Sequence, residues 1–126
     1  MLLIETFLNK SKIDGIGLFT VFNIKKGRRV WFWDEYGLDT QKFHSGVVKS
    51  FKNHKKFYNY VRKYSYLDQD GWWYLCGDNT RFMNHSFSPN LVTKDGYDYA
   101  LRDIKSGEEL TIDYSTFDLD WKRKLK

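Results

Sequence analysis

In the segment Arg81-Phe82-Met83-Asn84-His85-Ser86, followed closely by Pro89-Asn90, an amide, an imidazole and a hydroxyl stand in adjacent positions. Tyr114 comes 30 residues after Asn84, closing the segment Gly107-Glu108-Glu109-Leu110-Thr111-Ile112-Asp113-Tyr114. Upstream, Asp14-Gly15-Ile16-Gly17-Leu18-Phe19 places Gly17 67 residues before Asn84. Two close glycines between strands usually make only a tight turn, and Asn-His-Ser alone is common. The three together, in this order and at this spacing, are specific. Gly15 and Gly17 lack a Cβ, so backbone there can approach a ligand closely. Asn84 offers an acceptor and two donors, His85 can stack or hydrogen-bond, and Tyr114 carries a hydroxyl on a rigid ring.

Around these segments lies a chain of 126 residues, the usual size of one domain with one core. Aromatic residues make up 19% of it, which predicts a core built from few, large side chains. The net charge of +5 favours approach to acidic surfaces without selecting nucleic acid. Basic residues gather in Lys49 to Lys63 and in the tail Trp121-Lys122-Arg123-Lys124-Leu125-Lys126, as expected of a solvated helix face and a frayed terminus. The single cysteine, Cys76, excludes an intramolecular disulfide and fits a reducing compartment. With one cysteine and His44, His54 and His85 dispersed, no metal site is expected. The amino terminus has no secretory pattern, and no apolar run approaches the roughly 20 residues of a membrane span. An intracellular protein, cytoplasmic or chromatin-associated, is expected.

Turn signals at Asp14-Gly15, Lys26-Gly27, Asp70-Gly71, Asp95-Gly96 and Ser106-Gly107 separate short segments rich in β-branched and aromatic residues. This predicts strands near Leu2 to Leu8, Gly17 to Phe22, Arg29 to Trp33, Trp72 to Cys76, Tyr97 to Arg102 and Glu109 to Ile112. Between Ser50 and Tyr64, apolar Phe51, Phe57, Tyr58, Val61 and Tyr64 recur at helical spacing, predicting one amphipathic helix inserted between sheets. The expected fold is mostly β with a short helical insert at about 40–64 and a carboxy-terminal tail at about 115–126, in one domain over 1–126.

Several other chemistries fail on inventory. His85 and Ser86 are adjacent and cannot face each other as base and nucleophile, and Cys76 has no evident partner. No Gly-x-x-x-x-Gly-Lys phosphate loop occurs. Glu108 and Glu109 point to opposite faces of any strand they share, so they read as a turn and an exposed strand start.

With its three motifs in this order, the chain resembles the SET-domain methyltransferases over about residues 4–117. The resemblance implies a β-clip fold of small sheets, with a knot-like crossing of the carboxy-terminal segment beside Asn-His-Ser that brings Asn84 and Tyr114 together. It implies S-adenosyl-L-methionine as cofactor, contacted by Ile16, Gly17, Arg81, Asn84 and His85. It implies transfer of methyl groups to a lysine side-chain amine of a protein substrate, with Tyr114 as the catalytic residue. Histone tails, DNA-packaging proteins and ribosomal proteins are the candidate substrates. Arg81 has a second reading, since an arginine beside a turn commonly satisfies carbonyls or pairs with a carboxylate such as Asp113.

A lysine of pKa near 10.4 must lose its proton to act as a nucleophile, which costs about 4 kcal/mol at neutral pH. An apolar channel and a nearby positive sulfur both lower that pKa. Tyr64 or Tyr66, Ile112 and Phe117 are the expected channel residues, with Trp72, Trp73 and Tyr74 also available to line it, and each of these aromatic side chains reads first as core. Tyr114 would then position the amine. Ile112 stands where many relatives carry phenylalanine or tyrosine; having no hydroxyl, it favours multiple methylation. Larger relatives close the channel with a cysteine-rich, zinc-binding segment, for which this chain lacks the cysteines. Phe117, Trp121 or a second subunit must then close it, which leaves homodimerisation open. Asp78 stands where relatives commonly carry asparagine. The alternative function is a non-catalytic module of the same fold that recruits nucleic acid or a protein partner through its basic helix.

Overall fold

The computed structural model describes residues 1–125. In chain order its first strands are β1 (Thr6–Lys10), β2 (Ile16–Thr20), β3 (Arg29–Phe32) and β4 (Thr40–His44), followed by helices α1 (Ser45–Ser50) and α2 (Lys55–Tyr64). Then come β5 (Ser65–Leu67), β6 (Trp72–Cys76), β7 (Asn84–His85), β8 (Leu91–Lys94), β9 (Tyr97–Ala100), β10 (Thr111–Ile112) and helix α3 (Trp121–Lys124). The expected mostly β architecture with a short helical insert is what the chain forms.

These strands make small separate sheets: a β1-β2 hairpin, β3-β9-β8, β4-β6-β5, and the two-residue pair β7-β10. The last is parallel, matching Asn84 with Thr111 and His85 with Ile112. It brings the carboxy-terminal segment beside Asn-His-Ser and makes the crossing that joins two distant motifs. At the β1-β2 turn, Gly15 has φ +47°, a conformation that a side chain disfavours.

The inserted segment differs from its expectation. Instead of one helix over Ser50 to Tyr64 there are two, separated by a turn in which the N–H of Phe51 bonds the carbonyl of Val48 and that of His54 bonds the carbonyl of Phe51. Phe51 and Phe57 pack edge to face across this turn, 5.0 Å between ring centres, and so mimic a continuous helical face. Val61 alone of the predicted apolar positions is fully buried, where it joins Val48 and Trp73 in a small core under β6.

The main core is aliphatic. Leu18, Ile24, Val30, Leu91, Ile104 and Leu110 fill it, with Met83 and Ile112 at its edge toward the site. The expected core of large aromatic residues is corrected accordingly: Trp31 and Trp73 are buried, while most other rings are part-exposed. Small branched residues from the short strands meet in this core, and several aromatic rings, Trp31, Trp33, Tyr66 and Phe117 among them, wall a cavity beside it.

Candidate active site

Two concavities meet behind β7. One is an open groove of about 740 Å³ lined by Ile13 to Ile16 of the β1-β2 turn and by Asn84, His85 and Arg123, among others. The other is a cavity of about 230 Å³ walled by Trp31, Trp33, Tyr66, Met83, Ile112 and Phe117. Lys63, Tyr64, Arg81, Tyr114 and Lys124 line both. The groove has the size of a ligand pocket.

Tyr114 sits at the junction because β10 delivers it there. Its backbone N–H bonds Nδ1 of His85 at 3.0 Å, and its hydroxyl donates to the carbonyl of Met83. Burial, aided by the charges of Asp118, Asp14 and Glu109, pushes the phenol pKa well above its usual value. The hydroxyl is therefore a donor at neutral pH and not a base.

Since Nδ1 of His85 accepts a hydrogen bond, the neutral imidazole carries its proton on Nε2. That nitrogen is buried and has no partner within the chain. Asp113 approaches the same ring, 3.7 Å from Nδ1. Trp121 stacks on His85 at 6.1 Å and meets Phe87 edge-on, which places it on the outer side of the histidine and not over the cavity. Phe117 is the aromatic tail residue that faces the cavity, its ring centre 5.4 Å from that of Tyr66 and 6.1 Å from that of Tyr114.

Asn84 is oriented by a residue that sequence reasoning misplaced. Its side-chain N–H groups donate to the carbonyl of Asp14 at 3.0 Å and to Glu109 at 3.1 Å, leaving its oxygen as the group available to a ligand. Glu109, expected as an exposed strand start, is part-buried and also accepts from Ser11 at 2.6 Å. It ties the β1-β2 turn to β7. The carboxylate fits only because Gly17 has no side chain; a Cβ there would lie 2.7 Å from Glu109 Cδ. Gly17 thus makes room for Glu109 and does not line the groove, whereas Ile16 does. The opposite pointing of Glu108 and Glu109 was legible, but a partner 25 positions away was not.

Arg81 lines both spaces and also caps the turn before it, donating to the carbonyls of Gly77 and Asp78 at 3.0 and 2.8 Å. No bond to Asp113 forms, and Nε of Arg81 is buried without a partner. Asp78 accepts from Thr80 N at 3.0 Å and Leu2 N at 2.8 Å, capping that turn and anchoring the amino terminus. Of the expected channel residues, Tyr64 closes α2 and borders both spaces, while Tyr66, Ile112 and Phe117 wall the cavity. Tyr66 stacks on Tyr74 at 5.2 Å. Cys76 is buried there too, its thiol pushed up to about 12 by burial, so it is an inert wall. Among the described residues, no group of three His, Cys, Asp or Glu is placed to hold a metal, and no helix is long and apolar enough to cross a membrane.

The tail closes the cavity through polar anchors. Leu119 N bonds the carbonyl of Leu67 at 3.0 Å, and Asp118 accepts from Leu67 N at 3.1 Å. Arg123 donates to the carbonyl of Arg62 at 2.7 Å. The amine of Lys124 lies 2.5 Å from Asp118 and also donates to the carbonyl of Ser65. Lys124 was expected in a solvated, frayed terminus; its side chain is instead only 9% exposed.

The family model of the SET domain matches residues 15–115. The chain belongs to the SET domain family. Among similar SET proteins, the variant-silencing SET domain-containing protein of Plasmodium falciparum is 32% identical over 122 residues, covering 86% of this chain and 5% of its own length. The histone-lysine N-methyltransferase EZH2 of Chaetomium thermophilum is 31% identical over 124 residues, covering 85% of this chain and 8% of its own. The histone-lysine N-methyltransferase SET5 of Eremothecium gossypii is 32% identical over 102 residues, 75% of this chain and 20% of its own. The chain thus spans a fifth or less of the length of these relatives. Among solved structures, ctPRC2 in an autoinhibited conformation bound to S-adenosylmethionine matches this SET domain with a TM-score of 0.70 at 25% identity, over 97% of this chain and 16% of its own.

Proposed function

We propose that this SET domain transfers methyl groups from S-adenosyl-L-methionine to a lysine side-chain amine of a protein substrate, with histones as the first candidates and chromatin as the place of action. One observation carries the reading: Tyr114 stands where an open polar groove meets an aromatic, apolar cavity. That is the arrangement needed to hold a charged cofactor on one side and a desolvated amine on the other.

The groove residues fit the cofactor. Asn84 has spent its donors, so its oxygen suits an ammonium group. The unpaired Nε2 of His85 and Nε of Arg81 are donors within the walls of the same groove. When bound, S-adenosyl-L-methionine supplies a methyl group on a positive sulfur. The chain's own work is to orient and to dry. Tyr66, Ile112 and Phe117 exclude water and disfavour an ammonium, offsetting the roughly 4 kcal/mol that deprotonation costs. Tyr114, held protonated and fixed at backbone and hydroxyl, keeps the amine in line as a proximity effect.

Ile112, buried against the cavity, offers no hydroxyl to hold an already methylated amine or a water in place, which supports repeated transfer. The test is calorimetric titration with S-adenosyl-L-methionine together with methyl transfer to mixed core histones, read by product mass spectrometry. Binding and lysine methylation beyond one group are expected. Absence of cofactor binding would refute the transferase reading in favour of a non-catalytic module, and monomethyl-lysine alone under exhaustive conditions would refute repeated transfer.

A further inference from the structure

The amine of Lys124 occupies a position that the substrate reading reserves for a target lysine. Its side chain borders both the groove and the cavity, beside Tyr114, with the amine 5.6 Å from the centre of the Tyr114 ring. The other lysine bordering both spaces, Lys63, has an exposed side chain and sits over Tyr64 instead. Lys124 is brought there by the tail, whose Asp118 and Leu119 anchor on Leu67 and whose helix α3 anchors on Arg62 and Ser65, folding it back over α2 and β5. The side chain of Lys124 is 9% exposed and passes inward to the cavity.

We infer that Lys124 is a modification site, methylated within the same molecule by the site it borders. The inference rests on the methyltransferase reading and extends it to an acceptor carried by the chain itself.

Two features favour reaction over a merely structural ion pair. Burial lowers the pKa of Lys124 against the opposing pull of Asp118, so the neutral amine is more accessible than on a free lysine. Asp118, 2.5 Å away, is placed to receive the proton that the ammonium must release. The balance is simple. The proton passes from the ammonium to the Asp118 carboxylate, the freed lone pair of Nζ forms the new N–C bond, and the C–S bond breaks with its electrons returning to sulfur. S-adenosylhomocysteine leaves, and the methylated amine retains one positive charge.

The full chain, incubated with S-adenosyl-L-methionine, is digested and mapped by tandem mass spectrometry alongside a sample containing core histones. The expected result is a methyl mark on Lys124 and not on Lys63, with an apparent rate constant independent of protein concentration, as an intramolecular step requires. The mark disappears in Lys124→Arg. A second readout needs no turnover: on titration with S-adenosylhomocysteine, the side-chain Cε NMR resonance of Lys124 shifts while those of Lys55 and Lys94 stay fixed. Histones methylated while Lys124 stays unmarked, or a Lys124 resonance unmoved by bound S-adenosylhomocysteine, overturns the inference and leaves the transferase reading standing. A rate that rises with protein concentration overturns the intramolecular assignment. If neither histone nor Lys124 is methylated and no cofactor binds, the transferase reading itself fails.

Discussion

Asp98→Asn is expected to stabilise the protein above pH 6 and to leave it unchanged near pH 4. Asp98 belongs to β9, is 4% exposed, lines the cavity beside Trp31 and Trp33, and accepts a hydrogen bond from Thr93 Oγ1 at 2.6 Å. Burial raises its pKa from 3.8 to about 6, with the Thr93 bond opposing. In the pH range from about 4 to 6, the folded chain therefore holds a proton that the unfolded chain has released. Because the native state binds the extra proton, stability falls as pH rises through this window and is level above it. A rise of about two units at 1.36 kcal/mol each makes the total cost about 3 kcal/mol at neutral pH. Asparagine carries no charge at any pH and keeps an oxygen for Thr93. The variant should exceed the wild type by up to about 3 kcal/mol at pH 8, equivalent to ~10 °C in Tm for a domain of this size, with the gap closing by pH 4. Denaturant and thermal melts across this range measure it. Parallel stability curves for the two proteins, or a less stable variant at pH 8, would refute the assignment of a buried, unpaired charge.

Other substitutions probe the site and its supports. Tyr114→Phe removes the hydroxyl at the junction, and single-turnover methylation should fall ~10²- to 10³-fold while calorimetric cofactor affinity changes little; an equal loss in both would assign Tyr114 to cofactor binding. Gly77→Ala would bring a Cβ within 2.7 Å of the backbone oxygen of Asp39, an atom that cannot rotate away, and should cost about 3 kcal/mol in urea melts. Gly17→Ala meets the movable carboxylate of Glu109 instead, so its effect should appear as a roughly tenfold weaker cofactor affinity through a displaced Asn84, with the smaller change in Tm.

Much of the fold was legible because its strands follow turn signals. Arg29–Phe32, Trp72–Cys76 and Tyr97–Ala100 lie within or match their predicted spans. The strands that escaped notice lack a two-residue alternation of their own. Thr40–His44 exposes Gln41, Lys42 and His44 and gains its place by pairing with Trp72 to Cys76, and Ser65–Leu67 is three residues long. The motifs located Asn84, His85 and Tyr114 because adjacent chemistry is visible in a sequence. The role of Glu109, the outward position of Trp121 and the inward position of Lys124 depend on partners far along the chain. Asp118 in particular looks like an ordinary loop acid until the tail folds back and buries it at 2% exposure.

The parallel pair of Asn84–His85 with Thr111–Ile112 also has a kinetic meaning. It joins residues 27 apart in sequence through only two residues of strand, so loop closure must be met before any of its bonds can form. The hairpins β1-β2 and β8-β9 close over short turns and can assemble early. Tyr114, Asp118 and Lys124 all follow β10, and their bonds to Met83, Leu67 and Ser65 span the same long loops. The site is therefore expected to order late, and pulsed amide hydrogen exchange during refolding should show protection there appearing after that of the hairpins. A ligand bridging the β1-β2 turn and Asn84 would couple early and late regions into one cooperative unit, raising protection in both by mass action.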